Sequence, residues 1–110
     1  MDFVYSPFGP ITEADFTEKD SFELKDAIIQ TESISESRLE DLMMGKGYQI
    51  IRRATVFKKT TSDIIEKYFI NYGPSSNLYS IGNSEGKEIK KGEGACSLEE
   101  FIEAIKKLHK

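Results

Sequence analysis

One histidine and one cysteine in 110 residues bound the chemistry this chain can do. His109 falls in the last turn of a C-terminal helix, where the helix dipole favours a cation. A catalytic base needs a rigid, partly buried setting, so His109 reads as a solvated side chain. Cys96 stands just before a helix N-terminus, a place that can lower a thiol pKa. With only the remote His109 as a base, it reads as a half-buried structural thiol. A single cysteine excludes an intramolecular disulfide and a cysteine-based zinc cluster. No spacing of Asp and Glu matches a calcium loop. Gly92-Glu93-Gly94 precedes a capped helix, where a glycine loop can hold phosphate. The P-loop lysine and the dinucleotide fingerprint are absent, however, and Glu93 would repel an anion. The expectation is a connector, with no cofactor, no metal and no enzymatic constellation.

The elements that would position a site are clearest at the C-terminal end. Ser97 and Glu100 form a capping box. Glu99 and Glu100 at one end, with Lys106, Lys107 and Lys110 at the other, complement the helix dipole. Leu98, Phe101, Ile102, Ile105 and Leu108 make one apolar stripe, so a helix is expected over 97–109. Before it, Ile64 to Tyr72 is rich in Ile, Tyr and Phe and reads as a strand. A rival helical reading exists, with Ile65, Tyr68, Phe69 and Tyr72 in register, Ser62 as cap and Gly73 as stop. Leu78 to Ile81 is a second strand, Asn83-Ser84-Glu85-Gly86 a hairpin turn with Gly86 suited to positive φ, and Lys87 to Lys91 the return. Tyr48 to Lys59 gives a further strand, interrupted by Arg52 and Arg53.

The N-terminal part is read differently. Residues 1–19 combine Phe3, Val4, Tyr5, Phe8, Ile11 and Phe16 with Pro7 and Pro10, which forbid a helix through the stretch. The expectation is an extended aromatic arm laid on the domain, with Asp2 to Tyr5 as an edge strand, or docked on a partner or second copy. Residues 20–44 read as helical. Asp20 with Glu23 would cap a helix near Ser21, with Phe22, Ala27, Ile28 and Ile29 inward. Ser33 with Glu36 would cap a second helix, or a bend, carrying Leu39, Leu42 and Met43 and ending at Gly45 and Gly47. Met43 and Met44 read as core gap-fillers.

The resulting expectation is one α+β domain over 1–110, with the arm at 1–19, helices in 20–44, an antiparallel meander of three or four strands across 48–91, and a closing helix. The expected core is Phe22, Ile28, Leu39, Leu42, Ile50, Val56, Phe69, Phe101, Ile102 and Ile105. The single cysteine, the absence of an apolar targeting segment at Met1-Asp2-Phe3 and the lack of any membrane-length run imply a cytoplasmic protein without a membrane partner.

Charge is the one unusual feature. Residues 1–44 carry eleven acidic and three basic side chains, a net of −8, whereas residues 45–110 carry eight and twelve, a net of +4. Part of that contrast is expected to be cancelled by ion pairs between the halves. Two functions follow. An acidic helical face of Glu32, Glu36, Glu40 and Asp41 would engage a basic surface on another protein, as an inhibitor, an immunity-type protein or a nucleic-acid mimic does. Alternatively, a basic sheet face would bind nucleic acid. Arg52, Arg53, Lys58 and Lys59, with Lys87, Lys90 and Lys91, would meet phosphates, and Tyr48, Tyr68 or Tyr79 would stack on bases. The overall pI near 5 disfavours this second reading. Exposed meander edges, or the arm, would also allow a homodimer.

Overall fold

Period-two burial, not helical periodicity, governs most of the chain. The computed structural model describes residues 11–43 and 47–109. After a 3₁₀ turn at Glu13–Asp15 come strands β1 (Glu18–Glu23) and β2 (Ala27–Ser33) and helix α1 (Glu36–Met43). Then follow β3 (Gln49–Lys58), β4 (Ile64–Gly73), β5 (Leu78–Asn83), β6 (Glu88–Glu93) and helix α2 (Leu98–Leu108). The six strands form one antiparallel sheet in sequence order, β1 to β6. The class is therefore α+β, as expected, but with six strands where three or four were expected.

The difference lies in residues 18–33. They form a hairpin rather than a helix, with Phe22 opposite Ile29 and Asp20 opposite Thr31. Asp20 caps nothing; it is a ladder residue of an edge strand. β2 alternates strictly, with Ala27, Ile29, Thr31 and Ser33 buried and Gln30 exposed. The hairpin turn at Lys25-Asp26 is closed by the Leu24 N–H donating to the Ala27 carbonyl at 2.8 Å. β1 is exposed along nearly its whole length, and its Glu18, Lys19, Asp20 and Glu23 place charge on an open edge, which discourages pairing with another chain. Helix α1 begins later than the Ser33–Glu36 box implied. Ser35 is the capping residue, its Oγ accepting from the Arg38 N–H at 3.2 Å.

The rest follows its composition. The run at Ile64 to Tyr72 is a strand, which settles the rival helical reading. The Asn83–Gly86 turn places Gly86 at φ +83°, a conformation that costs glycine nothing. Ser97 caps α2, its Oγ accepting from the Glu100 N–H at 3.2 Å. By register, Ile29, Thr31, Ala54, Val56, Tyr68, Ile70, Tyr72, Tyr79 and Ile81 share one sheet face. All are buried, and all but Thr31 belong to one hydrophobic cluster with Phe101, Ile102 and Ile105 of α2. Leu42 of α1, Ile34, Ile51, Phe16, Ala27 and Cys96 join that cluster.

Of the expected core, Leu42, Val56, Phe101, Ile102 and Ile105 are buried, and Phe22 and Leu39 pack against the cluster half-buried. Ile28 and Phe69 are half-buried on the opposite face. Ile50 is 41 % exposed, and Ile51 takes the core position instead. A register shift between Ile50 and Arg52 reverses which residues face inward at the start of β3. The expectations for residues 1–10, for Met44 and Gly45, for the Met43 side chain and for Lys110 lie outside the described residues. Among those described, no helix is long and apolar enough to cross a membrane.

Candidate functional site

Two sets of residues carry the charge that the sequence singled out, and the structure divides both. Arg52 and Arg53 are neighbours in β3 and therefore point to opposite faces of the sheet. Arg52 turns toward α2. Its Nε donates to the Cys96 carbonyl at 3.2 Å and its Nη1 to Ser33 Oγ at 2.9 Å. Burial pushes its pKa down, against the pull of Glu99, Asp20 and Glu36. Arg53 lies on the face away from α2. It reaches Glu13 at 2.6 Å and Glu32, directly across on β2, at 3.1 Å. Its guanidinium sits 4.3 Å from the centre of the Phe16 ring, a cation–π contact. The hydrogen bond to Glu13 raises the Arg53 pKa, and the same bond lowers that of Glu13.

The basic residues thus form no common face. Lys58 and Lys59 lie at the far end of β3, both exposed, with Lys59 paired to Glu23 at 3.2 Å. Tyr68 and Tyr79, proposed as stacking platforms, are each only 4 % exposed. They are core residues whose hydroxyls reach polar groups on and just beyond α2. Tyr79 Oη donates to Glu100 at 3.4 Å, and Tyr68 Oη lies 2.6 Å from His109 Nε2. Tyr48 alone of the three is open, at 53 %. The contrast between the halves is partly spent internally, since the pairs of Arg53 with Glu13 and Glu32, and of Lys59 with Glu23, all bridge them.

The acidic set divides as well. Glu32 is on the sheet and engaged with Arg53, so it does not join a helical face. Glu36, Glu40 and Asp41 do share α1. Glu36 and Glu40, one turn apart, are exposed, and Asp41 is partly so. Leu42, fully buried, and Leu39 anchor the opposite side of this helix to the core. Arg38 within it pairs with Asp15 at 3.3 Å. Among the described residues, no ion pair engages Glu36, Glu40 or Asp41.

His109 and Cys96 are both more enclosed than expected. His109 is half-buried with its ring edge-on to Tyr68, and burial lowers its pKa. Cys96 is 5 % exposed with φ +61°. Burial first, then Glu100, pushes its thiol up to about 11. Burial and the neighbouring Cys96 and Glu100 push Tyr79 up to about 12. Both groups are thus held neutral beyond the pH at which the unfolded chain ionises them. The stability they contribute is complete below about pH 9 and is lost as the pH rises toward 11. On the acid side the lowered His109 binds its proton later than the unfolded chain does, so stability falls below about pH 6.5. Urea midpoints measured across pH should therefore plateau between these limits, and Cys96→Ala should flatten the alkaline limb. A midpoint unchanged between pH 9 and 11 would contradict the buried thiol.

Sequence reasoning missed a groove on the sheet face opposite α2. It has a volume of about 480 Å³ and is lined by Ile11, Thr12, Glu13, Phe16, Tyr48, Gln49, Ile50, Arg53, Phe69 and Asn71. The Tyr48 ring lies over Gly73, where any Cβ would collide with it, and its hydroxyl meets Ser76 Oγ at 3.0 Å. Gln49 is 6 % exposed; its Oε1 accepts from the Ile11 N–H, and its Nε2 has no hydrogen-bond partner among the described residues. Among the described residues, no group of three or more His, Cys, Asp or Glu is placed to hold a metal.

Fold and surface together define a small α+β domain, a six-stranded antiparallel meander covered on one face by a C-terminal helix. Comparison with protein-family models, with curated proteins and with solved structures finds no match.

Proposed function

We propose that the chain is a small protein-interaction module whose α1 carboxylates, Glu36, Glu40 and Asp41, engage a basic surface on another protein. The observation that carries this reading is the difference in how the charges are used. Arg52, Arg53 and Lys59 are all in contact with groups of their own chain. The α1 carboxylates enter no ion pair among the described residues and are held outward by a helix whose other side is locked into the core. Unpaired charge on a rigid element steers encounter and enforces orientation more than it adds raw affinity. An inhibitor, an immunity-type protein or a nucleic-acid mimic would use such a surface, and a cytoplasmic setting agrees with the single unpaired thiol.

The test is capture of the partner from the native host by the full chain, followed by the triple reversal Glu36→Lys, Glu40→Lys, Asp41→Lys. Reversal should weaken the complex by about tenfold or more, mainly by slowing association. A complex indifferent to the reversal would sink the reading. Retention of the unmodified chain on single-stranded or duplex nucleic acid at low salt, abolished by Lys58→Glu with Lys59→Glu, would replace it with the basic-surface alternative.

A further inference from the structure

The inner side of α2 is used up by the core, but its flank beside β6 is not. Glu100, Ala104, Lys107 and Leu108 are spaced so as to share one stripe of the helix. A groove of about 500 Å³ runs between that stripe and β6, with Ile89, Ala104 and Leu108 as its apolar lining. β6 is an edge strand. It pairs Lys90 with Ile81 and Glu88 with Gly82, so Ile89 is the extra residue of a bulge. That bulge, with Glu88, Lys90, Lys91 and Glu93 along the same edge, works against addition of a further strand. What stays open to a partner is the side-chain surface of the groove. Its charges are ordered. Glu100 and Glu103 come first along the helix and Lys107 follows near its end, all three exposed. Glu103 meets Lys106 only at 3.9 Å, and among the described residues no ion pair holds Glu100 or Lys107.

We propose that this groove is the contact between two copies of the chain, related by a two-fold axis, with α2 packed antiparallel on α2 of the partner subunit. A surface of one sign selects a partner of the other sign. A surface that is acidic at one end, basic at the other and apolar between them is complementary to itself turned end for end, which is what a two-fold contact between identical chains requires. With the axis at Ala104, the smallest side chain of the stripe lies where the two helices come closest. Lys107 of each copy then falls beside Glu100 and Glu103 of the partner subunit, and the antiparallel helix dipoles attract as well. Ile89 and Leu108 lose contact with water on both sides of the axis, which adds the apolar part of the affinity. One helix flank is a smaller footprint than the ~800 Å² per partner of a standard interface, so the dimer is reversible and concentration-dependent. This inference makes no use of the α1 surface and has its own readout.

The experiment follows the full chain by analytical ultracentrifugation over a wide concentration range, unaltered and as two variants, Lys107→Glu and Glu103→Lys. The unaltered chain should pass from monomer to dimer, and no further, as its concentration rises. Each variant sets like charges against each other twice across the axis, so each should weaken the dimer by at least about tenfold. An equimolar mixture of the two variants recreates both pairings with the signs exchanged, and it should dimerise about as well as the unaltered chain. Both substituted side chains are exposed, and circular dichroism checks the fold of each variant. Should one of them misfold, Ala104→Gln replaces it: glutamine is a good helix former that crowds the axis, and this variant should stay monomeric. A dimer indifferent to the reversals, reversals that mixing does not rescue, or assembly beyond two copies would overturn the proposal. So would a monomer at every concentration, which would leave the groove to a different protein.

Discussion

Replacing Phe101 with alanine is expected to destabilise the protein by about 3–5 kcal/mol, the usual cost of removing a fully enclosed aromatic side chain. Phe101 is 0 % exposed and lies with Ile102 and Ile105 on the buried side of α2, in one cluster with Ile70, Tyr79 and Ile81 of the sheet. The fold gives this site little room to collapse, because Ile70 and Ile81 in the same cluster are themselves fully enclosed. A domain of this size has a total stability of only about 5–15 kcal/mol, so the variant would sit near its unfolding threshold. Urea unfolding should show the midpoint falling by at least about 1 M. Leu108→Ala, at a position 51 % exposed on the same helix, should change stability by no more than about 0.5 kcal/mol. Equal effects at the two positions would mean that α2 does not close the core.

Arg52→Met should cost more than Arg53→Met, although Arg53 makes the more numerous ion contacts. Arg52 donates to the Cys96 carbonyl and to the hydroxyl of Ser33, which is 2 % exposed. Methionine retains much of the apolar stem but leaves both acceptors without that donor. The expected loss is about 2–4 kcal/mol, from two hydrogen bonds to a charged group in a buried setting. Arg53 pairs with Glu13, which is 82 % exposed in its side chain, and with Glu32. Solvent screens such pairs, so a clearly smaller loss is expected from them and the Phe16 contact together. Differences in unfolding free energy at neutral pH measure this ranking directly. The reverse ranking would return Arg52 to the pool of residues free to contact a partner.

The strands from Gln49 onward and α2 could be read from the chain because each carries its signal locally. Ser97 and Glu100 announce a helix start, the Ile- and Tyr-rich run of β4 announces a strand, and Asn83 to Gly86 announces a turn. The hairpin at 18–33 could not be read this way. Its inward positions include Thr31 and Ser33, small polar residues that hide the period of two, while Ile28 points to the open face. Its turn has no glycine or asparagine. Asp20 with Glu23 and Ser33 with Glu36 both mimic helix caps, yet neither pair caps a helix, and Ser35, inside the second box, caps α1 instead. Tertiary pairing overrode local propensity there, as it does wherever a strand is defined by its neighbours.

The candidate surface was legible to a similar degree. Glu36, Glu40 and Asp41 emerged from charge counting and do lie together on α1. Glu32 did not belong with them because β2 carries it onto the sheet, opposite Arg53. The basic set is divided for the same kind of reason. Adjacent residues in a strand face opposite ways, so Arg52 and Arg53 could not serve one surface. Nothing in the sequence marked Gln49, since a buried glutamine at the start of a strand has no pattern of its own.

The most direct measurement of the central claim is the association rate of the full chain with its captured partner across ionic strength. If the outward carboxylates of α1 steer the encounter, the rate should fall by about tenfold or more from low to high salt. The Glu36→Lys, Glu40→Lys, Asp41→Lys protein should associate slowly and lose that salt dependence. Equal rates for the two proteins, unaffected by salt, would contradict an interaction built on the acidic face.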